Sequence, residues 1–262
     1  MSGQLVEYRV EDGLAVIELN HPPAHTYSYE MMRELDEAIL TARMDEAVHV
    51  LILRGKGEKF FSAGADINML AGANPRFKYY FCLHANETLM RLEQTPKLVI
   101  AALNGHTVGG GLEIAMACDL RIARRDAGRI GLPEVNLGVL PGTGGTQRLP
   151  RLVGRSRAIE LMATGRTISF EEALEMHLID DVFDRDEFWK QILEYARQFV
   201  PPNKASKAVG HIKRAVCTGV EMPLAAGLAV ERELQQRLFE SADAAEGLAA
   251  YVNKTVPHFK GV

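Results

Sequence analysis

The sequence has few cysteines, no long apolar run and no excess of positive charge. Its three cysteines among 262 residues form no CxxC pair, which argues against a disulfide framework and a zinc–cysteine site. No apolar stretch approaches the roughly 20 residues that span a bilayer, and a net charge of −4 gives no reason to expect nucleic acid as a partner. The opening residues, MSGQLVEYRVEDG, show no targeting pattern, so we expect a cytoplasmic protein with reduced thiols and no membrane contact.

Several common nucleotide-binding and catalytic motifs are also missing. GTGGT (142–146) lacks the GK[ST] of a phosphate-binding loop, and GGGLE (109–113) lacks the GxGxxG spacing of a dinucleotide site. The chain contains neither GxSxG nor HExxH. Two prolines separate His21 from His25 and prevent them from sharing a helical face, so we predict no metal site.

What the sequence does contain is an alternation of strand and helix patterns. Short strands are predicted over 5–10, 14–20, 48–55 and 97–105, and helices over 29–43 and 77–95, with Ser28 as the N-cap of the first helix. After about residue 140 the strand signal fades and helical patterns follow one another. This order predicts an α/β core over residues 1–200 and a helical appendage over 201–262.

Three stretches rich in glycine and other small residues stand out within the core: FFSAGADINML (60–70), NGHTVGGGLEIAMACDL (104–120) and IGLPEVNLGVLPGTGGTQRL (130–149). In the second, three consecutive glycines precede an apolar helix, and they leave the backbone open to close approach by a ligand. The first N–H groups of a helix lack internal partners and carry the positive end of its dipole. Such an N–H, paired with one from the first stretch, would form an oxyanion hole.

Two glutamates in these stretches have apolar neighbours. Glu113 lies in the first turn of the helix that begins at the glycines, and Glu134 follows a proline among aliphatic residues. Taken singly, Glu113 could simply complement the helix dipole and Glu134 could be a solvated loop residue. Together, beside exposed backbone donors, they favour acid–base chemistry.

Motifs in all three glycine-bearing stretches resemble those of a known protein family. AGADI, NGxxxGGGxE and GLPEVxLGxxPGxGGTQRL, in this order, resemble the enoyl-CoA hydratase/isomerase family, also called the crotonase family, and the likeness extends over essentially the whole chain. The resemblance implies a spiral of ββα units followed by an all-helical trimerisation region. It further implies homotrimers or dimers of trimers, an acyl-CoA thioester as substrate, no cofactor beyond the CoA of that substrate, and an enolate held by two backbone N–H groups.

The resemblance also assigns roles to individual residues. Glu113 and Glu134 match the two catalytic glutamates that hold a water over the double bond, the first activating the water and the second giving a proton to C2. The other matches are the oxyanion-hole residues Ala65 and Gly110, the CoA-binding residues Ala63, Asp66 and Ile67, and, near the C-terminus, Tyr251 and Lys254 as further CoA contacts.

The sequence departs from the family pattern at three positions that bear on CoA binding. His25 stands at a usual asparagine, Tyr27 at a usual leucine and Asn68 at a common lysine. The leading hypothesis is an enoyl-CoA hydratase that adds water syn to a trans-2-enoyl-CoA. The alternatives are a Δ3-Δ2 enoyl-CoA isomerase, which usually keeps only the glutamate at position 134, and a non-catalytic CoA- or RNA-binding scaffold of the same fold.

Overall fold

The chain winds repeatedly between two β-sheets, as seen in a computed structural model that describes residues 4–262. Those residues contain the strands β1 (Val6–Glu11), β2 (Leu14–Leu19), β3 (Val50–Gly55), β4 (Phe60–Ser62), β5 (Leu98–Leu103), β6 (His106–Val108), β7 (Leu120–Arg124), β8 (Ile130–Gly131) and β9 (Asp181–Phe183). The helices are α1 (Tyr29–Met44), α2 (Ile67–Ala71), α3 (Pro75–Glu93), α4 (Gly110–Met116), α5 (Gly145–Val153), α6 (Arg155–Thr164), α7 (Phe170–Glu175), α8 (Phe188–Arg197), α9 (Ser206–Gly219), α10 (Leu224–Phe239) and α11 (Ala242–Asn253). A 3₁₀-helix covers Glu134–Leu137.

The larger sheet has six strands in the order β1-β2-β3-β5-β7-β9. Only β1 and β2 pair antiparallel, through a two-residue turn at Asp12 and Gly13 whose positive φ angles of 50° and 79° match the twist of a tight hairpin. The remaining neighbours are parallel. Ser28 caps α1 by accepting a hydrogen bond from the N–H of Met31, as the sequence predicts.

The smaller sheet has three parallel strands in the order β4-β6-β8. Each follows a strand of the larger sheet in the chain: β4 follows β3, β6 follows β5, and β8 follows β7. After each short strand the chain enters a helical segment, so the fold is a spiral of ββα units. The α/β class and this spiral agree with the expectation from the sequence.

Both faces of the larger sheet are covered. Along β3, Leu51 and Leu53 belong to one apolar cluster and Val50 and Ile52 to another on the opposite face. Because successive side chains of a strand point to opposite faces, a strand covered on both sides must be apolar throughout. This accounts for the uninterrupted run VLIL in the sequence.

The last three helices, α9 to α11, follow one another over residues 206–253 with no strand between them. Lys213 of α9 is buried against Asp119, with 2.8 Å between Lys213 Nζ and Asp119 Oδ2, and this ion pair ties α9 to the segment before β7. One strand, β9, lies beside β7 in the part of the sequence where the strand signal fades; three residues are too few to show a strand period. Among residues 4–262, no helix combines the length and apolar character needed to span a bilayer.

Candidate active site

The three glycine-bearing stretches meet because they leave the same edge of the smaller sheet. The segments 63–66, 109–110 and 132–134 directly follow β4, β6 and β8, whose strands are parallel and adjacent. Parallel neighbours present their carboxyl ends at one edge, where ligands bind in many α/β proteins. Stretches separated by tens of residues in the sequence therefore become neighbours in space.

Gly109 makes the sharp turn from β6 into α4. Its φ of 57° and ψ of −136° lie in a region that residues with a β-carbon rarely adopt. Its carbonyl oxygen accepts hydrogen bonds from the N–H groups of Leu112 and Glu113, which start the helix. The N–H of Gly110 is thereby left in the first turn, where no intrahelical acceptor exists.

The segment after β4 lies against this helix start. A β-carbon added at Gly64, whose φ is +87°, would lie 2.7 Å from the nitrogen of Gly110. The neighbouring Ala65 is held in an isolated parallel bridge to Tyr27. Within residues 4–262, neither the N–H of Ala65 nor that of Gly110 donates to a protein acceptor. Two unused backbone N–H donors, each in a segment that follows a different strand, are thus close together.

Glu113 is almost completely buried, with 1% of its surface exposed. Its Oε1 accepts two backbone hydrogen bonds of 2.7 Å, from Thr143 and Gly145 in the GTGGT loop. Burial raises the pKa of the Glu113 carboxyl, while these two N–H donors oppose the rise because they stabilise the charged form. Glu113 is therefore fixed in orientation and has built-in support for a negative charge.

Glu134 has a different environment. It begins the 3₁₀-helix, and a β-carbon added at Gly109 would lie 3.3 Å from its Oε1. Its Oε2 is buried and finds no hydrogen-bond partner among the residues that the structure describes. Burial, with a contribution from the nearby charge of Glu113, raises the pKa of Glu134 to about 7. Near neutral pH, Glu134 therefore holds a proton part of the time, and within residues 4–262 no donor to its Oε2 stabilises the charged form as the two amides do for Glu113.

The sequence pattern of the family described as "Enoyl-CoA hydratase/isomerase" matches residues 9–262. The chain belongs to the enoyl-CoA hydratase/isomerase family. It is 39% identical to a short-chain-enoyl-CoA hydratase of Clostridium acetobutylicum over 93% of each chain, and 35% identical to a crotonyl-CoA hydratase of Syntrophomonas wolfei over 95% of each. The solved structure of an enoyl-CoA hydratase from Geobacillus kaustophilus superposes with a TM-score of 0.97, at 49% identity, covering all of this chain and 98% of that one. The superposition confirms the family fold that the sequence predicts.

In this family member, the residues predicted from the sequence fall into two groups. Ala63, Asp66 and Ile67 adjoin Ala65, and Asp66 caps α2 by accepting hydrogen bonds from the N–H groups of Asn68 and Met69. Ile67 is half exposed at the start of α2. They join Ala65, Gly110 and the two glutamates at one edge of the small sheet.

Tyr251 and Lys254 form the second group, at the C-terminal end of α11. Tyr251 is 85% exposed, and Lys254, which caps the helix with a positive φ, is exposed too. Within residues 4–262, no hydrogen bond joins either residue to the two glutamates or to the segment after β4. The hydrogen bonds of a single described chain therefore do not connect Tyr251 and Lys254 to the cluster.

Reasoning from the sequence missed Thr143 and Gly145, and it placed Tyr27 near the CoA without its contact to the start of α4. Thr143 and Gly145 hold the Glu113 carboxylate, and Tyr27 lies beneath the start of α4. For the first two a signal exists, because a glycine-rich loop that binds no nucleotide phosphate still offers backbone N–H groups to another anion. For Tyr27 nothing in the sequence indicates contact with residues more than 80 positions away.

The raised pKa of Glu134 predicts an effect on stability that is independent of activity. Folding raises the pKa of Glu134, so the protonated side chain contributes fully to the free energy of unfolding at low pH. This contribution is lost as pH rises through about 7. Glu134→Gln cannot ionise, so it should raise the melting temperature relative to wild type at pH 8 and change it little at pH 5. Thermal unfolding at both pH values measures this. Glu194→Gln, at an exposed position on α8, controls for the lost charge; an equal shift at both pH values would contradict the assignment.

Proposed function

We propose that this protein is an enoyl-CoA hydratase that adds water syn to a trans-2-enoyl-CoA and forms a 3-hydroxyacyl-CoA. The observation that carries the proposal is the pairing of a buried carboxyl, Glu113, with a half-buried one, Glu134, in unequal environments beside two free backbone N–H groups. Glu113 is stabilised as an anion by two amides, whereas Glu134 lacks any such donor on its Oε2. Addition of water needs one base and one acid, and this pair supplies both.

Each group then has one task. Glu113 takes a proton from water as the water oxygen bonds to C3 of the enoyl group. The electrons of the double bond move toward the thioester carbonyl, whose oxygen becomes negative and accepts hydrogen bonds from the N–H groups of Ala65 and Gly110. Glu134 then gives its proton to C2. The proton gained by Glu113 must return to Glu134, directly or through water, before the next turnover.

The rest of the substrate is CoA, and the reaction needs no metal or redox cofactor. We assign the CoA contacts to Ala63, Asp66 and Ile67, because they continue from the oxyanion donor at Ala65 along the start of α2. Tyr251 and Lys254 would join them only through a neighbouring subunit. This arrangement is in keeping with a cytoplasmic homotrimer or dimer of trimers built on residues 201–262, in which α9 and α10 expose apolar side chains such as Ile212, Val216 and Leu224.

An isomerase is the second candidate, because an enolate also forms when a base removes a proton from C2 of a 3-enoyl-CoA and returns it to C4. Glu113 favours the hydratase, since an isomerase needs only one of the two carboxyls. The test is to incubate the protein with crotonyl-CoA and follow loss of the conjugated thioester absorbance, then to repeat the assay with a 3-enoyl-CoA. Hydration faster than isomerisation supports the proposal. Isomerisation alone would make the protein an isomerase, and no turnover of either substrate would favour a scaffold.

The pH dependence of hydration should be bell-shaped. Hydration needs Glu134 protonated, so kcat/KM should fall as pH rises through about 7, the pKa of Glu134. It also needs Glu113 ionised, so the rate should fall again as pH drops through the pKa of Glu113. Initial rates on crotonyl-CoA between pH 5 and 9 give the profile. The residual activity of Glu134→Gln should lack the alkaline limb, and a wild-type rate that stays constant from pH 7 to 9 would remove Glu134 as the acid.

A further inference from the structure

Tyr27 touches both oxyanion-hole segments and the support of Glu113, yet the mechanism above gives it no part. It lies in the loop before α1 and is 2% exposed, so it is as buried as the core. Its backbone, ring and hydroxyl each make a separate contact. Those contacts reach the segment after β4, the start of α4 and the GTGGT loop.

The backbone of Tyr27 holds the segment that carries the first donor. Its N–H donates to the carbonyl oxygen of Gly64 at 2.9 Å, and its own carbonyl accepts from the N–H of Asp66 at 3.0 Å. These two bonds flank Ala65 on either side. The N–H of Ala65 therefore points away from Tyr27, as it must to remain free for a substrate oxygen.

The ring of Tyr27 fills the space beneath the second donor. A β-carbon added at Gly110 would lie 2.3 Å from Tyr27 Oη and 2.5 Å from Cε1. On another side the ring stacks on Phe81, with 5.7 Å between the ring centroids and 26° between the ring planes. Since the ring is packed against both, it cannot turn without disturbing the backbone at Gly110.

The hydroxyl of Tyr27 reaches toward Glu113. Tyr27 Oη lies 3.0 Å from Thr143 Oγ1, within hydrogen-bond distance, and the backbone N–H of Thr143 donates to Glu113 Oε1 at 2.7 Å. The bond between the two hydroxyls fixes the side chain of Thr143, and with it the position of the N–H that supports the Glu113 carboxylate.

We propose that Tyr27 is a positioning residue that holds the backbone N–H of Thr143 against Glu113 and holds both oxyanion segments in place. The inference rests on the proposed hydratase function. It assigns the ring and backbone to the geometry of the oxyanion hole, and the hydroxyl to the basicity of Glu113. Only the second task can be removed without disturbing the first, by Tyr27→Phe.

Tyr27→Phe should lower kcat for crotonyl-CoA hydration about 2- to 10-fold, the worth of one hydrogen bond, with little change in KM. The acidic limb of the pH profile should move to higher pH, because a carboxylate that loses donor strength holds its proton more tightly. Thr143→Val removes the other hydroxyl of the same hydrogen bond and should have an effect of similar size. In the double variant, Tyr27→Phe should add nothing to Thr143→Val, since the tyrosine acts through the threonine.

Tyr29→Phe is the matched control, because it removes the same hydroxyl from an exposed tyrosine two positions along the chain. It should leave both kcat and the pH profile unchanged. A folded Tyr27→Phe with a lower melting temperature but wild-type kcat and acidic limb would show a packing role alone and overturn the proposal. Additive losses in the double variant would overturn it as well. A wild type inactive on enoyl-CoA would instead overturn the proposed function, and the role of Tyr27 with it.

Discussion

Glu134→Gln is expected to lower kcat for crotonyl-CoA hydration by about 10²- to 10⁴-fold, the range that a general acid or base contributes. Glutamine keeps the shape of the side chain and cannot give a proton to C2. The fold should survive, because in the part of the chain that the structure describes the buried Oε2 makes no hydrogen bond that the change would break. The measurement is a steady-state rate with protein whose circular dichroism matches wild type.

The control is Glu194→Gln on α8, which removes one exposed carboxylate and should hydrate crotonyl-CoA at the wild-type rate. Binding of a saturated acyl-CoA should be nearly the same in wild type and in Glu134→Gln, since the acid is needed only when the proton moves. Glu134 would have no place in the mechanism if Glu134→Gln kept its rate within a few-fold of wild type.

Replacing the Gly109–Gly110 peptide amide by an ester should lower the rate about 10²- to 10³-fold, as expected when one oxyanion donor is lost. Glycolic acid at position 110, introduced by nonsense suppression or semisynthesis, exchanges the N–H for an oxygen and adds no carbon. Hydration, isomerisation and exchange of the α-proton of a saturated acyl-CoA all pass through the enolate. The rates of all three reactions should therefore fall together, whereas substitution of Glu113 or Glu134 should slow some of these reactions more than others.

An ester at Gly154 is the matched control. Its N–H closes the end of α5 by donating to the carbonyl of Pro150 at 3.1 Å, and a β-carbon added there would meet open space. This ester should lower the free energy of unfolding and leave the activity per folded molecule unchanged. If the Gly110 ester slows hydration and leaves α-proton exchange at the wild-type rate, Gly110 is not an oxyanion donor.

The choice of an ester illustrates what the sequence could and could not predict. From the sequence, Gly110→Pro is the natural way to delete the N–H, because proline is tolerated at the first position of a helix. The structure excludes it, since any β-carbon at position 110 would lie 2.3 Å from the Tyr27 hydroxyl oxygen. Residues 27 and 110 are brought together by the packing of separate units, and no local pattern reports such a contact.

Other features also separate into those that the sequence predicts and those that only the structure shows. The hairpin, α1 and the buried strand at β3 carry strong local signals, namely a turn dipeptide, a cap and an apolar run, and the sequence predicts them well. The strands of the smaller sheet have two or three residues each, too short for any period to be visible. The two glutamates were recognisable by their apolar neighbours. The amides of Thr143 and Gly145 that hold Glu113 could be found only once the GTGGT loop was placed.

The functional groups of the proposed mechanism follow three different short strands, and this has a consequence for how such proteins can diversify. One backbone donor follows β4, the other donor and Glu113 follow β6, and Glu134 follows β8. In the proposed mechanism, mutation or insertion within one winding can therefore alter the proton donor, for example, while the windings that stabilise the enolate keep their place. New reactions of acyl thioesters could arise one winding at a time, with the intermediate common to all of them preserved throughout.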